Sequence, residues 1–160
     1  MPEASAPVHM HVNIQWTTAK PIDKLAGDKL KFGNIPEKPG VYRIRCEMPG
    51  RPLRVYVGEA ENLKNRIDNY GRPYKTAGGR VSPNRGINRR LVNVLRRKGA
   101  VARIQVATQA TVNVGAGRTR RLKMTKEFHR LLVEAAAIVY EQMYTDAIVI
   151  NAARPDVVLR

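Results

Sequence analysis

Two alternating runs set back to back constrain this chain more than anything else in it. GVYRIRC (residues 40–46) alternates Tyr42, Ile44 and Cys46 with Arg43 and Arg45, and LRVYVG (residues 53–58) alternates Leu53, Val55 and Val57 with Arg54 and Tyr56. Period-two alternation of this length marks a half-buried strand. EMPGRP between them centres on Pro49-Gly50, a turn pair. The runs therefore read as an antiparallel hairpin with a loop somewhat longer than the tightest types. Gly58 lets the chain leave the hairpin, Asn62 is placed as an N-cap, and Leu63, Ile67 and Tyr70 follow a helical period.

The remaining elements are placed around that hairpin. GINRRLVNVLRRKG (86–99) puts Ile87, Leu91, Val94 and Leu95 on one helix face and ends at Gly99. VARIQVAT (101–108) reads as a third strand, and TVNVGAGRTRRLKM (111–124) as a loop whose GAG is a flexible turn rather than a phosphate cradle. A long helix is expected from about Thr125 to Tyr144, with Phe128, Leu131, Leu132, Ala135, Ile138 and Val139 inward, followed by the apolar run AIVI and Asn151. Upstream, residues 1–12 read as a tail, and 13–38 as a lead-in with a strand (Val12, Ile14, Trp16) and a short helix (Ile22, Leu25, Leu30). The expected class is α+β: a three-stranded antiparallel sheet flanked by helices, with an inserted basic loop and helix. At 160 residues and 43% hydrophobic content the chain suits one domain, divided here into the 1–38 lead-in and a compact unit over 39–160.

No apolar run approaches the ~18 residues of a membrane span, and MPEASAPVHM lacks a basic-then-apolar signal layout. A cytoplasmic protein is expected, with no membrane association. The single cysteine, Cys46, cannot pair within the chain and sits in a strand pattern as a core residue. His9 and His11 form an isolated pair without further ligands at matching spacing.

Charge is more informative. The net +16 resides in the middle of the chain, because residues 64–130 hold 18 basic and two acidic side chains. That concentration is the footprint of a polyanion partner. The candidate contacts are Arg72, Lys75, Arg80 and Arg85 in a Gly- and Pro-rich loop, Arg89, Arg90, Arg96 and Arg97 on the following helix, and Arg118, Arg120 and Arg121 further on.

Five positions look like chemistry. Glu134 lies three residues after Leu131 and four before Ile138, which places a carboxylate on or beside the core-facing stripe. A charge there needs a partner, either a buried salt bridge to one of the many arginines or a divalent ion, Mg²⁺ or Mn²⁺. Arg66 and Tyr70 are four apart and project side by side; a border arginine is usually solvated, yet a guanidinium beside a hydroxyl also suits a phosphate oxygen. Tyr42 and Tyr56 lie on the two arms of the hairpin, where aromatics pack well; as a base, a tyrosine needs a cation to lower its ordinary pKa of ~10.

Gly40-Val41-Tyr42, Tyr56-Val57-Gly58, Asn62-Leu63, and Arg66 with Tyr70 together resemble the GIY-YIG nuclease family, with valine for isoleucine in both triplets. YVGEAENLKNRIDNY is similar to the N-terminal nuclease domain of the incision subunit of bacterial nucleotide excision repair. LLVEAAAI (131–138) matches the family's helix with its metal-binding glutamate, and Asn151 its late asparagine. The resemblance covers about residues 39–155; a chain little longer than the domain is also similar to GIY-YIG restriction enzymes.

This resemblance implies a Mg²⁺-dependent DNA endonuclease of restriction or repair type. Tyr42 would be the general base, assisted by a hydrogen bond from Tyr56. Arg66 would hold the scissile phosphate, Tyr70 would orient it or the nucleophile, Glu134 would hold one metal ion, and Asn151 would support the site by hydrogen bonding. No small-molecule cofactor is implied. The alternative from a different class is a catalytically silent DNA-binding module that kept the fold. The sequence leaves the oligomeric state open.

Overall fold

The computed structural model describes residues 7–75, 78–79, 86–152 and 158–159. In chain order the strands are β1 (Met10–Ile14), β2 (Lys20–Pro21), β3 (Asp23–Lys24), β4 (Leu30–Lys31), β5 (Gly40–Glu47), β6 (Arg54–Ala60), β7 (Val101–Ala107), β8 (Ala110–Val114), β9 (Arg120–Arg121), β10 (Ile148–Asn151) and β11 (Val158–Leu159). The helices are α1 (Leu63–Gly71), α2 (Gly86–Leu95) and α3 (Glu127–Tyr144). The α+β class expected from the sequence holds.

The hairpin is the centre of the main sheet. β5 pairs with β6 through Tyr42↔Gly58 and Ile44↔Tyr56, and on its other edge with β7 through Tyr42↔Val106 and Ile44↔Ile104, all antiparallel. The sheet is larger than the three strands expected: β10 adds parallel to β6, and β2 and β11 lengthen the edges to give the order β11-β10-β6-β5-β7-β2. The apolar run after α3 returns beside β6 because its Val149 and Ile150 match the inward faces of Val55 and Tyr56.

Alternation divides the sheet into two buried faces. Tyr42, Ile44, Cys46, Tyr56 and Ile150 pack under α1 and α2, whose buried residues include Leu63, Ile67, Tyr70, Ile87 and Leu91. Val41, Val55, Val57 and Val149 pack under α3 with its Val133 and Ala137. Cys46 is fully buried and desolvation pushes its thiol up to about 12, an inert core residue.

Several local readings are corrected. The lead-in is woven into the structure: β1, which starts inside the expected tail, pairs with β8, and β2 pairs with β7. Residues 111–124, read as a loop, contain β8 and β9, and the expected helix near residue 25 is only a 3₁₀ turn at Ala26–Asp28. α2 stops at Leu95, four residues before Gly99, which instead turns the chain toward β7 with a positive φ of 77°.

The largest correction concerns α3. Its inward stripe is Arg130, Val133, Glu134, Ala137 and Glu141, whereas Phe128, Leu131 and Val139, expected inward, are exposed. The rotation follows from buried ion pairs. Glu141, fully buried, accepts from the Arg43 guanidinium at 2.6 Å and lies 3.6 Å from that of Arg45, with Thr145 donating at 3.0 Å. Arg130 donates to Glu59 of β6 at 2.5 Å and to the Met124 carbonyl at 2.9 Å. Leaving either buried charge unpaired costs about 3–5 kcal/mol, more than the ~1.5–3 kcal/mol gained by burying one apolar side chain.

Candidate active site

Each residue singled out in the sequence can be located from its element. Tyr42 sits mid-strand in β5, opposite Gly58 on β6. A Cβ at position 58 would come within 2.6 Å of the Tyr42 ring carbon Cζ and 2.9 Å of the Ala152 Cβ, so the missing side chain is what lets the tyrosine lie across β6. Neither the ring, packed in the core, nor Ala152 has room to yield. Gly58→Ala is expected to cost about 1–3 kcal/mol through overpacking. Urea denaturation measures this, and unchanged stability would contradict the seating of Tyr42.

Asn62 caps α1 by accepting from the Asn65 backbone N–H at 3.0 Å, which fixes the helix that carries Arg66 and Tyr70. The Tyr70 hydroxyl meets that of Tyr42 at 2.6 Å, with the rings edge to face at 5.9 Å between centroids. Arg66, exposed one turn earlier on the same helix, interacts electrostatically with both hydroxyls. Burial works against its charge, but the neighbouring Tyr70 and Tyr42 outweigh this and hold it above the ordinary arginine range.

Glu134 approaches from the other face of the sheet. β10 pairs with β6 as far as Asn151↔Val57, and the Ala152 N–H adds a bond to the Val57 carbonyl at 2.7 Å; among the described residues the ladder stops there, short of Gly58. Groups from the α1 side and the α3 side meet around this end of the ladder. Glu134 is 8% exposed, and among the described residues it has no hydrogen bond or ion pair. Burial, then the nearby Glu59 carboxylate, push its pKa up to about 7, with Arg66 partly opposing them. The salt bridge weighed for Glu134 from the sequence is thus made by Glu59 and Arg130 instead.

The tyrosines are held protonated. Burial raises Tyr42 well above 10, and Tyr70 adds to this; burial likewise raises Tyr70, with the Tyr42 hydrogen bond and Arg66 opposing. Tyr56 points elsewhere. It faces Ile44 across the hairpin, and its hydroxyl is buried without a hydrogen-bond partner among the described residues, on the side of Arg54 and Arg90. The bond to Tyr42 assigned to Tyr56 is therefore made by Tyr70. Asn151 is half-buried in β10 and shares the α3 side with Val57, its register partner.

Two features escaped the sequence. The Glu59–Arg130 pair places a second carboxylate beside Glu134; the signals were an acid directly after Gly58 and an arginine one turn before Glu134. Tyr70 as the partner of Tyr42 is the other. It read as the phosphate-orienting hydroxyl beside Arg66 rather than as a partner of Tyr42, and it is also a core position.

A single unpaired carboxylate, near an arginine that can hold phosphate, fits Mg²⁺, which is usually held by one or two carboxylates with water and substrate phosphate completing the shell. No group of three or more His, Cys, Asp or Glu that could hold a metal occurs among the described residues, so a closed all-protein cage is not the arrangement.

The basic residues form two groups. On the α1–α2 side, Arg54, Arg89, Arg90, Asn93, Val94 and Arg97 line a cleft of about 360 Å³, with Arg72 and Lys75 exposed nearby in the chain. Arg89 also stacks over Tyr74 at 4.9 Å, and Arg96 is engaged by Asp28 at 2.8 and 3.0 Å. Arg118, Arg120 and Arg121 are exposed beside β8, where Arg121 lines a groove with Lys38 and Lys123. Arg80 and Arg85 lie outside the described residues. Among the described residues no helix is long and apolar enough to cross a membrane.

Among curated proteins, stretches of the chain are similar to UvrABC system protein C. Identity is 48% over 71 residues with that of Maricaulis maris, covering 42% of this chain and 10% of the relative. It is 60% over 38 residues with that of Frankia casuarinae (24% and 5%), and 49% over 43 residues with that of Bifidobacterium longum (27% and 5%). The matched stretches span a tenth or less of these relatives' length. No family model matches the chain, and no solved structure matches it.

Proposed function

We propose that the chain is a Mg²⁺-dependent endonuclease of GIY-YIG type that hydrolyses phosphodiester bonds in DNA. The observation that carries this reading is Glu134, a buried carboxylate without a protein partner among the described residues, facing an arginine and a hydrogen-bonded tyrosine pair. DNA binding alone calls for the arginines but gives no reason to keep that acid buried without a partner. Similarity to UvrABC system protein C favours DNA repair over restriction as the setting.

Glu134 would hold the ion, with Mn²⁺ as the alternative to Mg²⁺. When bound, it supplies Lewis-acid polarisation of a phosphate oxygen and charge compensation at the departing 3′-oxygen. Arg66 binds the scissile phosphate and stabilises its growing charge from a fixed position on α1. Tyr42 accepts the proton of the attacking water on its hydroxyl oxygen while its own proton moves along the 2.6 Å bond to Tyr70. Tyr70 passes its own hydroxyl proton on to a solvent water beside exposed Arg66, so neither residue becomes a buried phenolate. Asn151 supports the α3 side by hydrogen bonding. Tyr56 acts through packing rather than as the partner of the base.

The cleft of Arg54, Arg89, Arg90 and Arg97 holds backbone phosphates, with Arg72, Lys75, Arg118, Arg120 and Arg121 extending the contact. Such contacts position the duplex and weaken steeply with salt, without reading sequence.

A second reading, a DNA-binding module without catalysis, is favoured by the high pKa of both tyrosines. Supercoiled plasmid separates the two. The enzyme nicks it in Mg²⁺ and leaves it intact in EDTA; retardation without nicking in Mg²⁺, on damaged and undamaged DNA alike, would establish the silent module instead.

A further inference from the structure

The exposed side of α3 stands apart from the rest of the surface. Phe128, Leu131, Val139, Tyr140, Met143 and Tyr144 are each between 46% and 72% exposed. Phe128, Leu131, Val139 and Met143 follow one stripe of a helix about 27 Å long, and Tyr140 and Tyr144 widen it on one flank toward the C-terminal end. Together they present on the order of 700 Å² of mainly apolar surface, near the ~800 Å² per partner of a standard protein interface and beyond what scattered exposed residues account for.

Charge narrows the occupant. From Leu131 to Tyr144 the only ionisable acids or bases of the helix besides its tyrosines are Glu134 and Glu141, and both are buried on the opposite side. A nucleic acid or an anionic membrane would need cations along the patch, which has Lys126 at its N-terminal end, over the Phe128 ring at 5.7 Å, while the arginine groups lie instead on α2 and beside β8. The surface suits protein.

Its symmetry narrows the occupant further. Ala135, exposed, stands at the middle of Glu127–Tyr144, with large residues at similar distances on either side. Laid antiparallel on a copy of itself, the stripe sets Ala135 against Ala135, Leu131 against Val139, and Phe128 against Met143. The small central residue lets the helices approach closely. At the ends, Lys126 of one helix comes opposite Asp146 beyond the other, and the helix dipoles run head to tail. A surface that complements itself under a two-fold rotation is what an isologous dimer needs. We infer that α3 is the interface of a two-fold homodimer, packed antiparallel about Ala135. This inference is independent of the nuclease reading.

Sedimentation velocity over about 1–200 µM tests it, because a homodimer is concentration-dependent. The wild-type chain is expected to sediment at twice 18.0 kDa at the upper end. Leu131→Glu and Val139→Arg, both on the exposed side, are each expected to sediment at the monomer mass with unchanged far-ultraviolet circular dichroism. The double variant carries Glu opposite Arg across the two-fold axis twice and is expected to recover the dimer. A wild-type monomer at every concentration would overturn the proposal, as would a dimer that survives either folded single variant. A double variant that stays monomeric would overturn the antiparallel register.

Discussion

Glu134→Gln is expected to abolish Mg²⁺-dependent cleavage and to make the fold more stable above pH 7. Burial first, and Glu59 second, raise the folded-state pKa of Glu134 to about 7 from the ordinary 4.5. Between those values the unfolded chain has released a proton that the folded chain keeps. Stability therefore falls as pH rises from 4.5 to 7, and the loss, about 3 kcal/mol in full and about half that once solvent screening of this incompletely buried carboxylate is allowed for, persists above pH 7. Glutamine keeps the shape and removes the charge. Urea denaturation at pH 5 and pH 8 should show the variant gaining on the wild type at the higher pH, and a variant less stable at pH 8 would sink the account. Mg²⁺ should raise the wild-type melting temperature and leave the variant's unchanged. Wild-type cleavage at sub-saturating Mg²⁺ should fall about tenfold per pH unit below pH 7, moving to lower pH as Mg²⁺ is raised, since the ion and the proton compete for one carboxylate.

Arg66→Ala is expected to slow single-turnover cleavage by about 10²–10³-fold, the range for loss of one preorganised donor to a developing oxyanion. Binding should weaken much less, because Arg66 is one of many cations along the DNA path. Lysine should restore little. Its ammonium cannot offer two parallel N–H groups to a phosphate or lie alongside the Tyr70 hydroxyl in the same way. Rates from quenched flow and affinities from gel retardation separate the two effects. A variant that binds tenfold more weakly but cleaves at the wild-type single-turnover rate would make Arg66 a binding residue only.

Much of this site could be read before any coordinates. The hairpin was visible because its residues alternate strictly, and the start of α1 because Asn62 supplies a cap that the structure uses. Glu134 was visible as an acid within an apolar helix pattern, and it is buried. What the sequence hid depended on charges paired at long range. LLVEAAAIV is apolar nearly all round, so its period could not choose which side faces in. The choice was made by Glu141 with Arg43 and by Arg130 with Glu59, pairs separated by 98 and 71 positions. Tyr56 was hidden for a different reason. Alternation gives the face of a strand on which a side chain lies, and Tyr42 and Tyr56 do share a face, but not the direction of the hydroxyl along it. The partner of Tyr42 came from a helix instead, through Tyr70, a residue that read as facing the phosphate beside Arg66.

The central claim is that a lone carboxylate on α3 and an arginine on α1 make this basic fold a metal-dependent nuclease. Its most direct test is single-turnover cleavage of an end-labelled duplex by the wild type and by Glu134→Gln, side by side in Mg²⁺ and in EDTA, with binding measured on the same samples. Both proteins are expected to bind, and only the wild type in Mg²⁺ is expected to cut. A Glu134→Gln protein that cuts at the wild-type rate, or a wild type that cuts equally well in EDTA, would contradict it.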